Sequence, residues 1–142
     1  MFSIFFKIKN SIKSVVDLSH EHTNDMNAER AAINKLLAMK PENRIAVYWY
    51  ALFIYFMEQK QYEVVIKLCD ERLEQLLTVE EKCRTYMFKS VAYERKNDFL
   101  NAIVQLQYML IYTNDEFFIL KSYQDEANRR IEYYRQKIKE GN

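Results

Sequence analysis

Glycine and proline each occur once in the 142 residues, as Gly141 and Pro41. Tight hairpin turns and phosphate-cradling loops need residues that tolerate positive φ or fix a turn, so an all-β fold and an α/β fold with glycine-rich loops are both excluded. An excess of one charge is also missing. The 21 Lys and Arg against 20 Asp and Glu leave a formal net charge of +1, so no global field draws in a nucleic-acid backbone, and nucleic acid is not an expected partner. Cysteine occurs twice, at Cys69 and Cys83. Their separation is neither a CxxC redox spacing nor a zinc-ligand spacing, and both fall in predicted helices, so they are expected as core thiols. The longest uncharged run, IAVYWYALFIYFM from Ile45 to Met57, is shorter than the ~18 apolar residues that mark a bilayer-spanning helix.

Catalytic patterns are equally scarce. No glycine-rich phosphate loop, no GxSxG and no Cys with a plausible His partner is present. His20, Glu21, His22 and Asp25 offer metal-ligating atoms, but alternate residues on a helix point about 200° apart, so both imidazoles reach one metal only where the chain is not helical. Asp70, Glu71, Glu74, Glu80 and Glu81 sit among polar neighbours with nothing to raise a carboxyl pKa. The expectation is a protein that is not an enzyme, with no catalytic residues, no metal site and no cofactor.

What is abundant is helical pattern. With 49% hydrophobic, 15% aromatic and 29% charged residues the chain has a globular composition, and its length suits one domain spanning 1–142. Met1, Phe5, Ile8, Ile12 and Val15 or Val16 recur at steps of three and four, predicting an amphipathic N-terminal helix within 1–22. Lys7 and Lys9 interrupt that run and no small-residue cleavage site follows, so it is not a signal peptide, and a cytoplasmic location is expected. Thr78 with Glu81 and Thr113 with Glu116 fit the capping box. Asn24, Asn43 and Asn97 fit simple caps, and Pro41 ends the helix before it. Helices are therefore predicted at 2–19, 25–39, 43–59, 61–76, 79–96, 98–112 and 115–139. The short connections between them force antiparallel neighbours.

Sliding the greasy run forward by 37 residues aligns Trp49 with Tyr86, Phe56 with Tyr93, Tyr62 with Phe99, Val65 with Ala102, Ile66 with Ile103, Cys69 with Leu106 and Leu73 with Leu110. The order of large and small residues resembles the tetratricopeptide repeat, a helix–turn–helix unit with W-x2-L-G-x2-Y in its first helix and A-x3-F in its second. Trp49, Leu52 and Phe56 occupy the large positions of the first copy. Tyr86, Ser90 and Tyr93 followed by Phe99, Ala102 and Leu106 form the second, with Ser90 as the small residue where two helices approach closely. Phe53 and Lys89 depart from the pattern, and the period exceeds the family's value of about 34. The resemblance implies an all-α fold: antiparallel helix pairs stacked as a short right-handed solenoid. The repeats would cover 25–114, and 115–139 would be a C-terminal capping helix with Leu120, Tyr123, Ala127, Ile131, Tyr134 and Ile138 as its seam. Arg129, Arg130, Arg135 and Lys137 would face elsewhere. A helix apolar on every side, such as 45–57, belongs in the middle of such an array.

The same resemblance implies a function in protein–protein interaction, as an adaptor or chaperone-like module that receives a peptide or helix of a partner protein on a concave surface. Tyr50, Ile54 and Met57 from the first unit, with Arg84, Met87, Val91 and Glu94 from the second, would line it. Family members that hold the carboxylate tails of heat-shock chaperones use Lys and Asn where Tyr50, Ile54, Met87 and Val91 stand here, so an apolar or aromatic-anchored ligand is expected instead. Two alternatives stay open: a membrane surface met by residues 1–19, and self-association into a homodimer.

Overall fold

The structure is a computed structural model that describes residues 25–113 and 118–141. Among the described residues the protein is all-α, with six helices: α1 (Asp25–Ala38), α2 (Ala46–Glu58), α3 (Tyr62–Leu73), α4 (Val79–Arg95), α5 (Phe99–Thr113) and α6 (Phe118–Gly141). The helix predicted at 2–19 and the cap predicted at Asn24 lie outside the described residues. Two compact units, Met1–Lys60 and Gln61–Asn142, divide the chain.

In the first unit α1 packs on α2. Pro41 opens a 3-10 turn over Pro41–Asn43, and α2 starts at Ala46 rather than at the predicted 43 because Asn43 is held in that turn. Arg44 then folds back. Its Nε donates to the Leu36 carbonyl at 2.9 Å and its Nη2 to the carbonyls of Leu37 and Met39 at 3.1 and 3.2 Å, satisfying the orphan acceptors at the end of α1. The same guanidinium lies 4.7 Å from the Trp49 ring centroid, tying the end of α1 to α2. No residue from Ala46 to Met57 is exposed, and Trp49, Leu52 and Phe53 are fully buried. That is the burial expected of a helix with no charged face.

In the second unit α3 packs on α4, α4 on α5 and α5 on α6. Ion pairs fix the direction. Arg72 with Glu81, Asp70 with Lys89, and Glu63 with Lys96 run down α3 while they run up α4, so these helices are antiparallel. Tyr86 meets Tyr108 and Tyr112, and Ser90 meets Ala102, so α4 and α5 are antiparallel as well. The Ser90 hydroxyl, fully buried, donates to the Ala102 carbonyl at 2.9 Å. A larger side chain at either position would hold the two backbones apart. Phe99 touches Tyr134 with ring centroids 5.9 Å apart, bringing the start of α5 to the end of α6.

The helix starts correct several expectations. Thr78 caps α4 as predicted, its Oγ1 accepting from Glu81 N at 3.2 Å, while the Glu81 carboxylate pairs with Arg72 at 3.0 Å. Asn97 does not cap α5. It sits at φ 61, a conformation that Asn tolerates, and the cap is Asp98, whose Oδ1 accepts from Asn101 N at 3.2 Å. Thr113 is the last residue of α5, where its hydroxyl donates to the Leu110 carbonyl at 3.2 Å. Glu116, its expected partner, lies outside the described residues. On α6 the seam Leu120, Tyr123, Ala127, Ile131 and Tyr134 is buried and Ile138 half-buried. Arg130 differs from its expected outward place: it is half-buried, donating to Glu94 at 3.3 Å, to Glu126 at 3.2 Å and to the Tyr134 hydroxyl at 2.9 Å.

The 37-residue register recurs in the backbone. Helix α2 ends at Glu58 and α3 begins at Tyr62; α4 ends at Arg95 and α5 begins at Phe99. Lys60 at φ 59 and Asn97 at φ 61 are the left-handed residues of the two turns. Gln59 N bonds to Tyr55 O and Lys60 N to Met57 O, as Lys96 N bonds to Ala92 O and Asn97 N to Glu94 O. The buried positions of α3 are Val65, Ile66, Leu68, Cys69 and Arg72, and the same register gives Ala102, Ile103, Gln105, Leu106 and Met109 on α5, all buried.

Candidate functional site

The residues expected to line a groove fall in both units. On α2, Tyr50, Ile54 and Met57 recur at helical steps on one face; Tyr50 and Met57 are buried and Ile54 is half-buried. The Tyr50 ring lies 6.2 Å from that of Phe53. On α4, Met87 and Val91 are buried, and Arg84 and Glu94 are half-buried at either end of the same face. Both polar ends are engaged by α6. Arg84 Nε donates to the Tyr123 hydroxyl at 3.0 Å and its Nη2 to Glu80 at 2.8 Å, while Glu94 accepts from Arg130. These bonds run up α4 and up α6 in the same order, so the two helices lie parallel, with α5 packed on each of them. Burial raises the pKa of Tyr123 against the lowering effect of Arg84, and it pushes Tyr134 up to about 12 although Arg130 opposes it. Both phenols therefore stay neutral, and each accepts a hydrogen bond from an arginine.

A second feature lies on the other side of α4 and was not foreseen from the sequence. Tyr86 stacks on Tyr108 at 5.7 Å and on Tyr112 at 6.0 Å, with interplanar angles of 25° and 19°. Lys82 Nζ stands 4.6 Å from the Tyr112 ring centroid. Burial, aided by the neighbouring phenol of Tyr112, pushes Tyr86 up to about 12. The stack leads onto the outward face of α5, where Leu100 (67%), Tyr108 (47%) and Ile111 (69%) are exposed and Val104 is half-buried. One signal could have found this face. From Phe99 to Thr113 the helix has no charged residue, whereas α3 and its C-cap residue carry Glu63, Lys67, Asp70, Glu71 and Glu74 at the positions that correspond by the 37-residue shift to Leu100, Val104, Gln107, Tyr108 and Ile111.

The described cysteines are poorly placed for chemistry. Cys69 and Cys83 are both fully buried. Burial raises the Cys69 thiol well above its ordinary value, and burial with the nearby Glu80 pushes Cys83 up to about 11, so neither supplies a thiolate near neutral pH. Among the described residues no group of three or more His, Cys, Asp and Glu side chains could hold a metal ion. The His20 and His22 cluster lies outside the described residues, as does the segment 1–19 considered for a membrane surface. No described helix is long and apolar enough to cross a membrane. No protein-family model, no curated protein and no solved structure matches the chain.

Proposed function

We propose that the protein is a non-enzymatic, tetratricopeptide-like interaction module, an adaptor or chaperone-like protein that binds a peptide or helix of a partner protein. The observation that carries this reading is the recurrence, 37 residues apart, of a turn and the helix after it: helix end, left-handed residue, helix start and buried set. Repeated helix pairs bury a continuous core between neighbours and present the same helix faces in series, an arrangement suited to extended ligands rather than to converging catalytic groups. The candidate ligand faces of this reading are two, one in each compact unit: Tyr50, Ile54 and Met57 on α2, and Arg84, Met87, Val91 and Glu94 on α4. Tyr50, Met57, Met87 and Val91 are buried, so a ligand first meets Ile54 on the α2 face, or Arg84 and Glu94 on the α4 face, and reaches the others by uncovering them.

Selection of displayed random peptides on the full chain tests this. The enriched sequences should carry apolar or aromatic anchors, and Ile54→Glu should weaken their binding at least about tenfold, the equivalent of one lost anchor of about 1.4 kcal/mol. Leu100→Glu, on a different face, should leave that affinity unchanged. Absence of any enriched peptide, or binding indifferent to Ile54→Glu and Glu94→Lys, would remove the groove from the reading.

A further inference from the structure

Leu100, Val104, Tyr108 and Ile111 follow one another on α5 at steps of four, four and three, so they form a single stripe along the helix. Three of them are strongly exposed even though α5 packs against both α4 and α6. The corresponding stripe of α3 is Glu63, Lys67 and Glu71, continued by Glu74 at its C-cap, charged at every position. The two helices have matching buried positions, so α3 is an internal control: the outward face of this unit takes charges when water is its neighbour. The face on α5 has none. We infer that the outward stripe of α5 is the contact of a homodimer, in which two copies of α5 cross antiparallel about a twofold axis.

The chemistry of the stripe selects a second copy over a charged partner. An isologous contact sets every group against its own kind, so a charged stripe repels itself and an uncharged one does not. A basic or acidic segment of another protein would find no opposite charge on α5. The spacing is also self-complementary. With the axis between Val104 and Tyr108, Leu100 meets Ile111 of the partner subunit, and rows spaced by four residues interdigitate with their own copy in a common helix-packing geometry. Tyr108 is already held by its stack on Tyr86, so little side-chain freedom is lost when it is covered. One helix stripe offers less than the ~800 Å² per partner of a standard interface. The dimer should accordingly be a modest one, formed at micromolar rather than nanomolar concentration. This contact uses the second helix of a unit and is independent of the peptide groove proposed above.

Sedimentation velocity of the full chain over a range from about 1 µM to several hundred µM, bracketing a micromolar Kd, decides it. The wild-type protein should shift from monomer to dimer. Ile111→Glu, a change at an exposed site, should keep the circular-dichroism spectrum and weaken the dimer at least tenfold. Leu100→Lys combined with Ile111→Glu places opposite charges against one another at both ends of the antiparallel seam and should restore the dimer that either change alone weakens. Glu74→Leu on α3 should not alter the Ile111→Glu result. A wild-type chain that stays monomeric throughout overturns the proposal, including one that instead captures a different protein through this stripe. So does a dimer indifferent to Ile111→Glu, and a double variant no better than the single ones overturns the antiparallel pairing.

Discussion

Helices α3 and α5 are buried at the same five register positions and differ almost completely on the outside. Inward they place Val65 and Ala102, Ile66 and Ile103, Leu68 and Gln105, Cys69 and Leu106, and Arg72 and Met109 at equivalent buried sites. Outward α3 is charged and α5 is not. A fold constrains the inner set through packing, where one methylene more or less is felt. It leaves the outer set free to follow whatever neighbour the surface has. The inner match therefore reports common architecture, and the outer mismatch reports a difference of surroundings.

The largest expected effect comes from emptying an inner position. Leu106→Ala should destabilise the protein by about 2–5 kcal/mol, whereas Cys69→Ala, at the same register position but losing a single sulfur atom, should have a smaller effect. The first helices of the two turns offer the same contrast. Trp49 is fully buried and Tyr86 is half-buried on its tyrosine stack, so Trp49→Ala should cost about 3–5 kcal/mol and Tyr86→Ala less. Urea unfolding followed by circular dichroism measures all four. Equal losses at Leu106 and Cys69, or at Trp49 and Tyr86, would break the correspondence between burial and register.

The second effect is collective and depends on pH. Cys83, ordinarily at 9.0, is pushed up to about 11, and Tyr86 and Tyr134, ordinarily at 10.0, up to about 12. Each is an acid that loses its proton more readily in the unfolded chain. Between the unfolded and folded values the folded state holds more protons, so stability falls as pH rises. The protein should be indifferent to these groups below about pH 9, lose stability from about 9 to 11 through Cys83, and from about 10 to 12 through the tyrosines. Tyr86→Phe should flatten the upper part of the fall in melting temperature. An unchanged melting temperature from pH 8 to 12 would show that these groups are equally free in both states.

How much of this was legible beforehand follows from the same distinction. Periodicity, the near absence of glycine and proline, and the Thr78 cap give the helices. The 37-residue alignment gives the turns, because large and small side chains at fixed spacing are packing signals. The errors lie where a short polar residue chooses between roles that spacing alone does not separate. Asn97 takes the left-handed turn position and leaves the cap to Asp98. Arg130 was expected outside because it is charged, yet carboxylates at Glu94 and Glu126 and the Tyr134 hydroxyl give it partners in a half-buried place. Of the candidate surface, the helical spacing of Tyr50, Ile54 and Met57 was legible but their burial was not, because exposure depends on neighbours brought in from elsewhere in the chain. The uncharged run of α5 was on view in the sequence. Only its exposure distinguishes it from α2, uncharged from Ala46 to Met57.

A smaller effect, of opposite sign, tests one inner pair. Gln105 is buried and its Oε1 has no hydrogen-bond partner among the described residues, while Leu68 holds the same register position on α3. Leaving a buried polar atom without a partner costs about 1–3 kcal/mol. Gln105→Leu removes that atom and supplies a side chain of similar size, so it should stabilise the protein by about 1 kcal/mol. Destabilisation on thermal melting would mean that the amide is held by a group that Leu cannot replace, such as a bound water.

The smallest effect on stability should come from exchanging the outer faces. Lys67→Val, Glu71→Tyr and Glu74→Ile together write the outward residues of α5 onto α3 while leaving Glu63 paired with Lys96 and Asp70 with Lys89. Surface substitutions away from caps and buried networks each change stability by no more than about 0.5 kcal/mol, so the folded chain should melt close to the wild type. Its solution behaviour should change far more. A second stripe, apolar from position 67 onward, on a chain that already has one opens contacts that do not close after two copies, and such contacts propagate. The triple variant should therefore form species larger than a dimer in sedimentation velocity, and Ile111→Glu added to it should return these to dimers paired through α3. A stability loss well above 1 kcal/mol would show that Lys67, Glu71 and Glu74 are not the outward counterparts of Val104, Tyr108 and Ile111. Unchanged sedimentation would show that an uncharged helical stripe is not by itself enough to join two copies of this chain.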